Sequence, residues 1–326
     1  MTISKTETIQ TWIEEIIYQI DCAKRTLENK ELLQICGGIE NILSGEINPH
    51  FSHEIAETAL NEVIKRNYLS ELLSAKVPTQ LYREIIKPLT EKLPTQTWRS
   101  NEQNKWQQFS TPPGIAYLMA YQLNLKPKEQ VLEPSAGTGS LAVWTGELIT
   151  RTHTNEIDGR RKLLLKNLGF EPSEFNAEFI HDYLPIELEP DCLMMNPPFS
   201  SNGGRTKNNS SKFGFRHVES ALTRLKKGGK FGIILGEAGG LDTKTGNDFW
   251  WKLSDSIEIK SIIKIDGREY YKNGTTARIN LIIGRKLLKP RKTDWNQVLN
   301  KIISFVVNNI EEAFEKVTYL NLRLNQ

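Results

Sequence analysis

Residues 130–139 read Gln130-Val131-Leu132-Glu133-Pro134-Ser135-Ala136-Gly137-Thr138-Gly139. A short apolar strand runs into a glycine turn, and the segment after it, 139–148, predicts a helix. A helix at 114–123 precedes this unit, its first turn opened by Pro112-Pro113. Downstream the same alternation continues. Strands are predicted at 152–157, weakly at 178–180, then at 191–195 and 229–235, with helices at 160–168, 215–225 and 248–255. Two further strands, 257–265 and 277–284, close the series. Alternating strands and helices pack most economically as a parallel sheet covered on both faces. The last two strands are joined through 270–275, which leaves no room for a helical crossover, so as neighbours they pair antiparallel.

Outward from this α/β region the pattern changes. Over 1–105, Ile9, Trp12, Ile13, Ile16, Ile17 and Ile20 recur at helical spacing. A second helix is predicted at 30–43, where Gly37-Gly38 kinks or ends its first part. A long one covers 53–73, with Ile55, Ala59, Leu60, Val63, Ile64 and Leu72 as its apolar stripe, and a shorter one covers 82–93, punctuated by Pro88. The expected organisation is a helical domain 1–105 ending in a polar linker, an α/β domain 106–288, and a tail 289–326. The tail starts basic, Lys289-Pro290-Arg291-Lys292, and is predicted to end in one helix over about 295–314.

Composition narrows the class. The chain has 326 residues, 38% hydrophobic and 25% charged, the balance of a globular protein with one large core and a smaller unit. Its formal charge is only +3, so any surface for a polyanion must be local. No run of 18 apolar residues exists and the N-terminus lacks an apolar signal-like stretch, so no membrane partner is expected. The three cysteines have no metal-ligand spacing and the five histidines are scattered, so no metal is expected. A reducing cytoplasm fits best.

Glycines at 137 and 139 permit a tight turn and close approach of a ligand. Without the third glycine of the dinucleotide fingerprint, this spacing alone also fits an ordinary turn. The surrounding acids add to it. Glu133 stands just before the turn. Glu156 ends the next strand, where a carboxylate can accept both hydroxyls of a ribose. Asp182 follows the weak strand, placed to accept from an adenine amino group. No Gly-Lys-Ser/Thr is present, which excludes a P-loop. Acids beside the turn suit a cationic, zwitterionic ligand such as S-adenosylmethionine. Asp158 reads as a helix cap.

The second constellation is Asn196-Pro197-Pro198-Phe199, directly after the apolar run Cys192-Leu193-Met194-Met195. It places a side-chain amide at the mouth of a buried strand. The exocyclic amine of adenine is a poor nucleophile because its lone pair is delocalised into the ring. Two oxygens that accept its hydrogens return density to nitrogen as a new bond forms. Asn196 offers its side-chain oxygen. Pro197 offers a backbone oxygen and has no competing N–H. The two prolines keep the strand end extended, and Phe199 can stack on a base turned out of a helix. Fixed acceptors contribute most where charge develops in the transition state.

With these residues in order, the chain resembles the amino-methyltransferases that use S-adenosylmethionine, most closely the DNA adenine methyltransferases. Their tetrad is matched by Asn196-Pro197-Pro198-Phe199, and their glycine motif by Leu132-Glu133-Pro134-Ser135-Ala136-Gly137-Thr138-Gly139. The segment that closes over the methionine part is similar to Phe109-Ser110-Thr111-Pro112-Pro113, and its place ahead of the turn is the gamma-class order. The resemblance covers about 107–287 and implies a Rossmann-like sheet of seven strands in order 3-2-1-4-5-7-6, strand 7 antiparallel. It implies cofactor contacts from Phe109, Thr111, Pro112, Glu133, Ser135, Gly137, Gly139, Glu156, Ile157, Asp182 and Asn196. It also makes 268–284, with Tyr270 and Tyr271, the late hairpin that helps hold the target base. Enzymes that methylate RNA bases or protein glutamine share the tetrad and turn; the closing segment argues for DNA.

The segment 200–216 after the tetrad carries Arg205, Lys207, Lys212 and Arg216, no acid, and glycines of the kind that permit mobility. It reads either as a surface for phosphates beside a flipped adenine of double-stranded DNA or as a solvated loop. His217, at the start of a helix, reads as structural. The tail patch Lys289, Arg291 and Lys292 reads as linker or phosphate contact. Stand-alone gamma enzymes carry a large C-terminal recognition domain, and only about 40 residues follow the hairpin here. Sequence recognition is therefore expected from the helical domain or from a specificity or defence-system subunit. The remaining alternative is a non-catalytic subunit of a modification complex.

Overall fold

The computed structural model describes residues 5–37, 49–96, 109–198 and 213–324. The helical region opens with α1 (Lys5–Ile17) and α2 (Asn29–Ile35). Next comes α3 (Pro49–Val63), which passes through one wider turn into α4 (Leu69–Ser74). The short helices α5 (Pro78–Leu81) and α6 (Lys87–Glu91) complete it. The apolar stripe predicted over 53–73 is buried at every position. Beyond the linker, α7 (Pro113–Leu123) leads into β1 (Val131–Glu133). The α/β region continues with β2 (Thr152–Thr154), α8 (Gly159–Asn167), α9 (Ile180–Tyr183) and β3 (Cys192–Met195). It ends with α10 (Phe213–Arg224), β4 (Lys230–Gly236), α11 (Lys244–Leu253), β5 (Ile257–Ile265) and β6 (Ile279–Lys286). The tail holds α12 (Trp295–Leu299), β7 (Ile303–Val307) and α13 (Ile310–Tyr319).

These strands form one mixed seven-stranded sheet in the order β2-β1-β3-β4-β6-β5-β7. Only β6 runs against the others. Side-chain alternation sends Leu132, Leu193, Met195, Phe231, Ile233 and Leu235 to one face, where Phe215, Val218 and Leu222 of α10 cover them. Val131, Cys192, Met194 and Ile234 turn to the other face and share a single core with α7, the helical region and α13. Tyr117 of α7 marks the join: it stacks on Trp144 with centroids 5.1 Å apart and donates to the Leu72 carbonyl at 3.0 Å.

Two expectations need correction. The weak strand at 178–180 is a short helical turn, Ala177–Phe179, running into α9. Asn176 caps it by accepting from the Glu178 N–H at 3.0 Å, and buried Ile180 anchors it beside α10. At that edge of the sheet a single parallel bridge, Asn155 to Ser173, stands beyond β2. The seventh strand comes instead from the tail. The segment read as one helix over 295–314 is helix, strand and helix. Ile302, Ile303, Val306 and Val307 are β-branched and favour the strand. Asn309 then starts α13 by accepting from the Glu312 N–H at 2.9 Å. As β7 this segment pairs parallel with β5, from Ser261 opposite Ile303 to Ile265 opposite Val307. Strands 1, 2, 4, 5, 7 and 6 of the expected order are present as neighbours; strand 3 is not, among the described residues.

The tail also ties the two regions together. Phe314 of α13 is fully buried, with ring centroids 4.8 Å from Tyr117 and 5.9 Å from Tyr82. Arg83 and Lys87 meet Glu311 at 2.7 and 2.9 Å on the exposed rim, where such pairs add little. Truncating Phe314 to Ala is expected to cost about 3–5 kcal/mol. Denaturant unfolding should show the sheet and the helical region lost together in one transition. A change below about 1 kcal/mol would show that the tail is not part of the core.

Candidate active site

The site forms at the C-terminal ends of β1, β2 and β3. Gly137 (φ +56°) and Gly139 (φ +84°) take left-handed backbone, which lets the chain turn back immediately after Glu133. A Cβ at Gly139 would meet Leu168 of the neighbouring helix end at 2.5 Å, so that position is closed by packing as well. The end of β2 is sewn to the turn. Ala136 N–H donates to the Asn155 carbonyl at 2.9 Å, and the buried Asn155 amide donates to the Pro134 and Phe175 carbonyls at 3.0 and 2.9 Å.

Glu156 is buried, with Oε2 accepting from the Gly137 N–H at 2.8 Å and Oε1 from the Asp158 N–H at 2.8 Å. Burial raises its pKa, and Arg161 and those two N–H groups oppose the shift. Asp158 caps α8 through the Arg160 and Arg161 N–H groups, as expected. Arg161 is itself buried and bonds Glu54 of α3 at 2.6 Å. Glu133 is 2% exposed, and its Oε2 has no hydrogen-bond partner. Burial, then the nearby Glu156 charge, push its pKa well above the ordinary value.

At the end of β3, the Asn196 amide nitrogen donates to Thr111 Oγ1 at 3.0 Å and to the Phe109 carbonyl at 3.4 Å. A carbonyl can only accept, which sets the orientation of the amide. Its Oδ1 is left buried and unpartnered. Tyr270 lies beside Thr111 and Asn196, fully buried, and burial pushes its pKa up. The closing segment, the tetrad and the late hairpin thus converge on one point. Pro112 caps α7 from the same segment.

The remaining expected residues differ in exposure and partners. Asp182 lies on α9, largely exposed and 3.3 Å from His181; Ile157 is also exposed. Ser135 is half-buried in the turn. Arg216 is engaged by Glu178 at 2.8 Å. Tyr271, unlike Tyr270, faces solvent. His217 is buried, and its pKa is lowered to about 4 by burial and by Arg216, so it is neutral at physiological pH. Phe199, Arg205, Lys207 and Lys212 lie outside the described residues.

Sequence reading missed the contribution of α3. Glu54, Glu57 and Asn61 share one face of that helix and meet the α/β region. Asn61 donates to the Thr138 carbonyl at 3.1 Å, and Glu57 accepts from Asn273 at 2.8 Å. The available signal was Glu54, Glu57 and Asn61 recurring at helical spacing beside the apolar stripe of Ile55, Ala59, Leu60 and Val63.

The polar groups gathered here are mostly acceptors, which suits a ligand that brings hydrogen-bond donors or positive charge. Three acids, Glu57, Glu133 and Glu156, surround the turn, and the one buried guanidinium beside it, Arg161, is bonded to Glu54. Unpartnered oxygens on Glu133 and Asn196 remain for donors. Among the described residues no group of His, Cys, Asp and Glu could hold a metal, and no helix is long and apolar enough to cross a membrane.

The architecture is that of the Rossmann-like methyltransferases, with a helical region ahead of the sheet. Among solved structures, the chain is similar to a modification subunit assigned to a type I restriction enzyme from Vibrio vulnificus YJ016, with a TM-score of 0.54 and 13% identity over 98% of this chain and 85% of that one. A protein from Listeria monocytogenes assigned as a class I S-adenosylmethionine-dependent methyltransferase gives 0.54 and 14% over 97% and 98%. The M protein of the type I restriction enzyme EcoKI gives 0.50 and 16% over 86% and 71%. At these identities the likeness establishes the fold. No protein-family model and no curated protein sequence matches the chain.

The Glu133 environment has a pH signature. An acid whose native pKa is raised above its unfolded value of about 4.5 costs stability once the unfolded chain ionises. That cost grows as pH rises through 4.5 toward the native pKa. Glu133→Gln is therefore expected to stabilise the protein more at pH 8 than at pH 4, measured by thermal unfolding. A pH-independent difference would refute the buried-acid assignment.

Proposed function

We propose that this chain is an S-adenosylmethionine-dependent methyltransferase acting on the exocyclic amine of adenine in DNA, as the modification subunit of a restriction or related defence system. The observation that carries this reading is the Asn196 amide. Its nitrogen is committed to Thr111 and Phe109, which leaves Oδ1 unpartnered at the strand mouth beside the glycine turn.

In this reading, Asn196 Oδ1 and the Pro197 carbonyl accept the two hydrogens of the target amine. They would stabilise positive charge on nitrogen as its bond to the methyl carbon forms and the sulfur–methyl bond breaks, leaving the neutral thioether, and one amine proton then passes to solvent. The cofactor supplies an electrophilic methyl group. Glu156 takes the ribose hydroxyls, and Ile157 and Asp182 lie at the adenine end. Phe109, Thr111, Pro112, Ser135, Gly137 and Gly139 enclose the remainder. Phe199 stacks on the flipped base, and Tyr270 packs beside Asn196. Arg205, Lys207 and Lys212 meet phosphate, with Arg216 available only after leaving Glu178. The closing segment Phe109-Ser110-Thr111-Pro112 favours DNA over RNA or protein glutamine. The likeness to modification subunits supports a further subunit as partner, expected here to supply specificity.

Transfer of labelled methyl groups to DNA, RNA and a glutamine peptide separates these substrates, with DNA expected to be the acceptor. Asn196→Ala is expected to lower the transfer rate by about 2–4 kcal/mol of transition-state stabilisation. Cofactor affinity should fall far less. Transfer at the wild-type rate in Asn196→Ala, or transfer to RNA or peptide alone, would overturn the reading.

A further inference from the structure

Helix α3 brings a carboxylate to the place where three loops of the α/β region meet. Glu57 Oε1 accepts from Asn273 Nδ2 at 2.8 Å, in the late hairpin. Its Oε2 accepts from Thr138 Oγ1 at 3.4 Å, in the glycine turn. Ser110, in the closing segment, is a third polar neighbour, its hydroxyl 3.2 Å from Thr138 Oγ1. A small cavity between α3 and the closing segment is lined by Glu57, Asn61, Thr111, Ser140 and Asn273.

Every hydrogen-bond donor that reaches Glu57 among the described residues is neutral. Arg161, the cation behind the turn, is bonded to Glu54 at 2.6 Å. Lys272 borders the same cavity, but its ammonium donates to the carbonyls of Thr90, Glu91 and Leu93 at 2.7–3.1 Å. His53, also at the cavity, has its pKa lowered to about 4 by burial, so it is neutral. Burial raises the Glu57 pKa, and Glu54 adds to this; Ser110, Arg161 and Asn273 oppose it. Glu57 is half-buried, and a carboxylate partly withdrawn from water commonly meets a cation. Asn273 and Thr138 reach one oxygen each and Ser110 is a third donor; a carboxylate has about four acceptor sites, so room for another donor remains.

We propose that Glu57 accepts the ammonium group of the cofactor's amino-acid moiety, so that the helical region supplies part of the cofactor site. This rests on the cofactor reading given above and extends it to a residue outside the α/β region. It makes α3 a component of the site rather than a separable docking module. The ammonium would join the neutral donors on Glu57 as a charge-assisted bond, the stronger kind.

The test compares two ligands by calorimetry on the full-length protein. S-adenosylhomocysteine carries the ammonium; 5′-methylthioadenosine keeps the nucleoside and sulfur but lacks the amino-acid part. Glu57→Gln is expected to weaken S-adenosylhomocysteine about tenfold or more and to leave methylthioadenosine unchanged. Unchanged affinity for S-adenosylhomocysteine overturns the proposal, as does an equal loss for both ligands, which marks a merely structural role. A measurement on wild-type protein needs no variant to fold: N-acetylated S-adenosylhomocysteine, without the charge, is expected to bind at least about tenfold more weakly. Equal binding of the acetylated and free forms overturns the proposal. Wild-type protein that binds neither nucleoside overturns the cofactor reading itself, and the role of Glu57 with it.

Discussion

A buried chain of charge links the helical region to the glycine turn. Glu54 of α3 bonds Arg161 of α8; Arg161 offsets the burial of Glu156; Glu156 holds the Gly137 and Asp158 N–H groups. None of these groups is exposed to solvent to any useful degree. Removing one member of such a set leaves a charge without its partner in a low-dielectric interior, at a cost of about 3–5 kcal/mol. The turn is therefore braced from α3 through Arg161 and Glu156. The same dependence explains why the wall of the site is assembled from residues as far apart in the chain as Glu54 and Asn273.

The sheet supplies the other half of the geometry. The parallel strands β1, β2 and β3 end together, so Glu133, Glu156 and Asn196 arrive at one edge. β5 runs the same way, so Gly267–Asn273, which follows it, lies at that edge and brings Tyr270 beside Asn196 before β6 runs back. At the far side, β7 and α13 turn the tail into structure. Phe314 fills the space between α7 and the helical region, where Tyr82 and Tyr117 leave an aromatic gap. The two sides of the molecule are thus held by unlike forces, buried charge near the turn and apolar packing near the tail.

Much of the fold was legible in the chain because period and turn chemistry are local. The apolar run before Asn196, the strand before Gly137 and the isoleucine stripe of α1 all state their partners' face through spacing alone. The strand expected at 178–180 failed because three residues carry too little period to outweigh an Asn176 cap. The tail was misread because Ile302, Ile303 and Val306 also satisfy helical spacing within a longer window. Only the open edge of β5 distinguishes the two conformations.

For the site, the sequence by itself determined which atoms are available: the amide of Asn196, the acids Glu133 and Glu156, and glycines where the backbone must turn left. Those follow from side-chain chemistry and from φ preferences, which act within a few residues. Only the tertiary structure decided their states. It directed the Asn196 nitrogen to Thr111 and so freed its oxygen. It drew Arg216 to Glu178 and left Asp182 in solvent. It placed Glu57 against Asn273, Thr138 and Ser110. Hydrogen-bond direction, burial and charge pairing depend on groups distant in the chain, and no local pattern encodes which of them will meet.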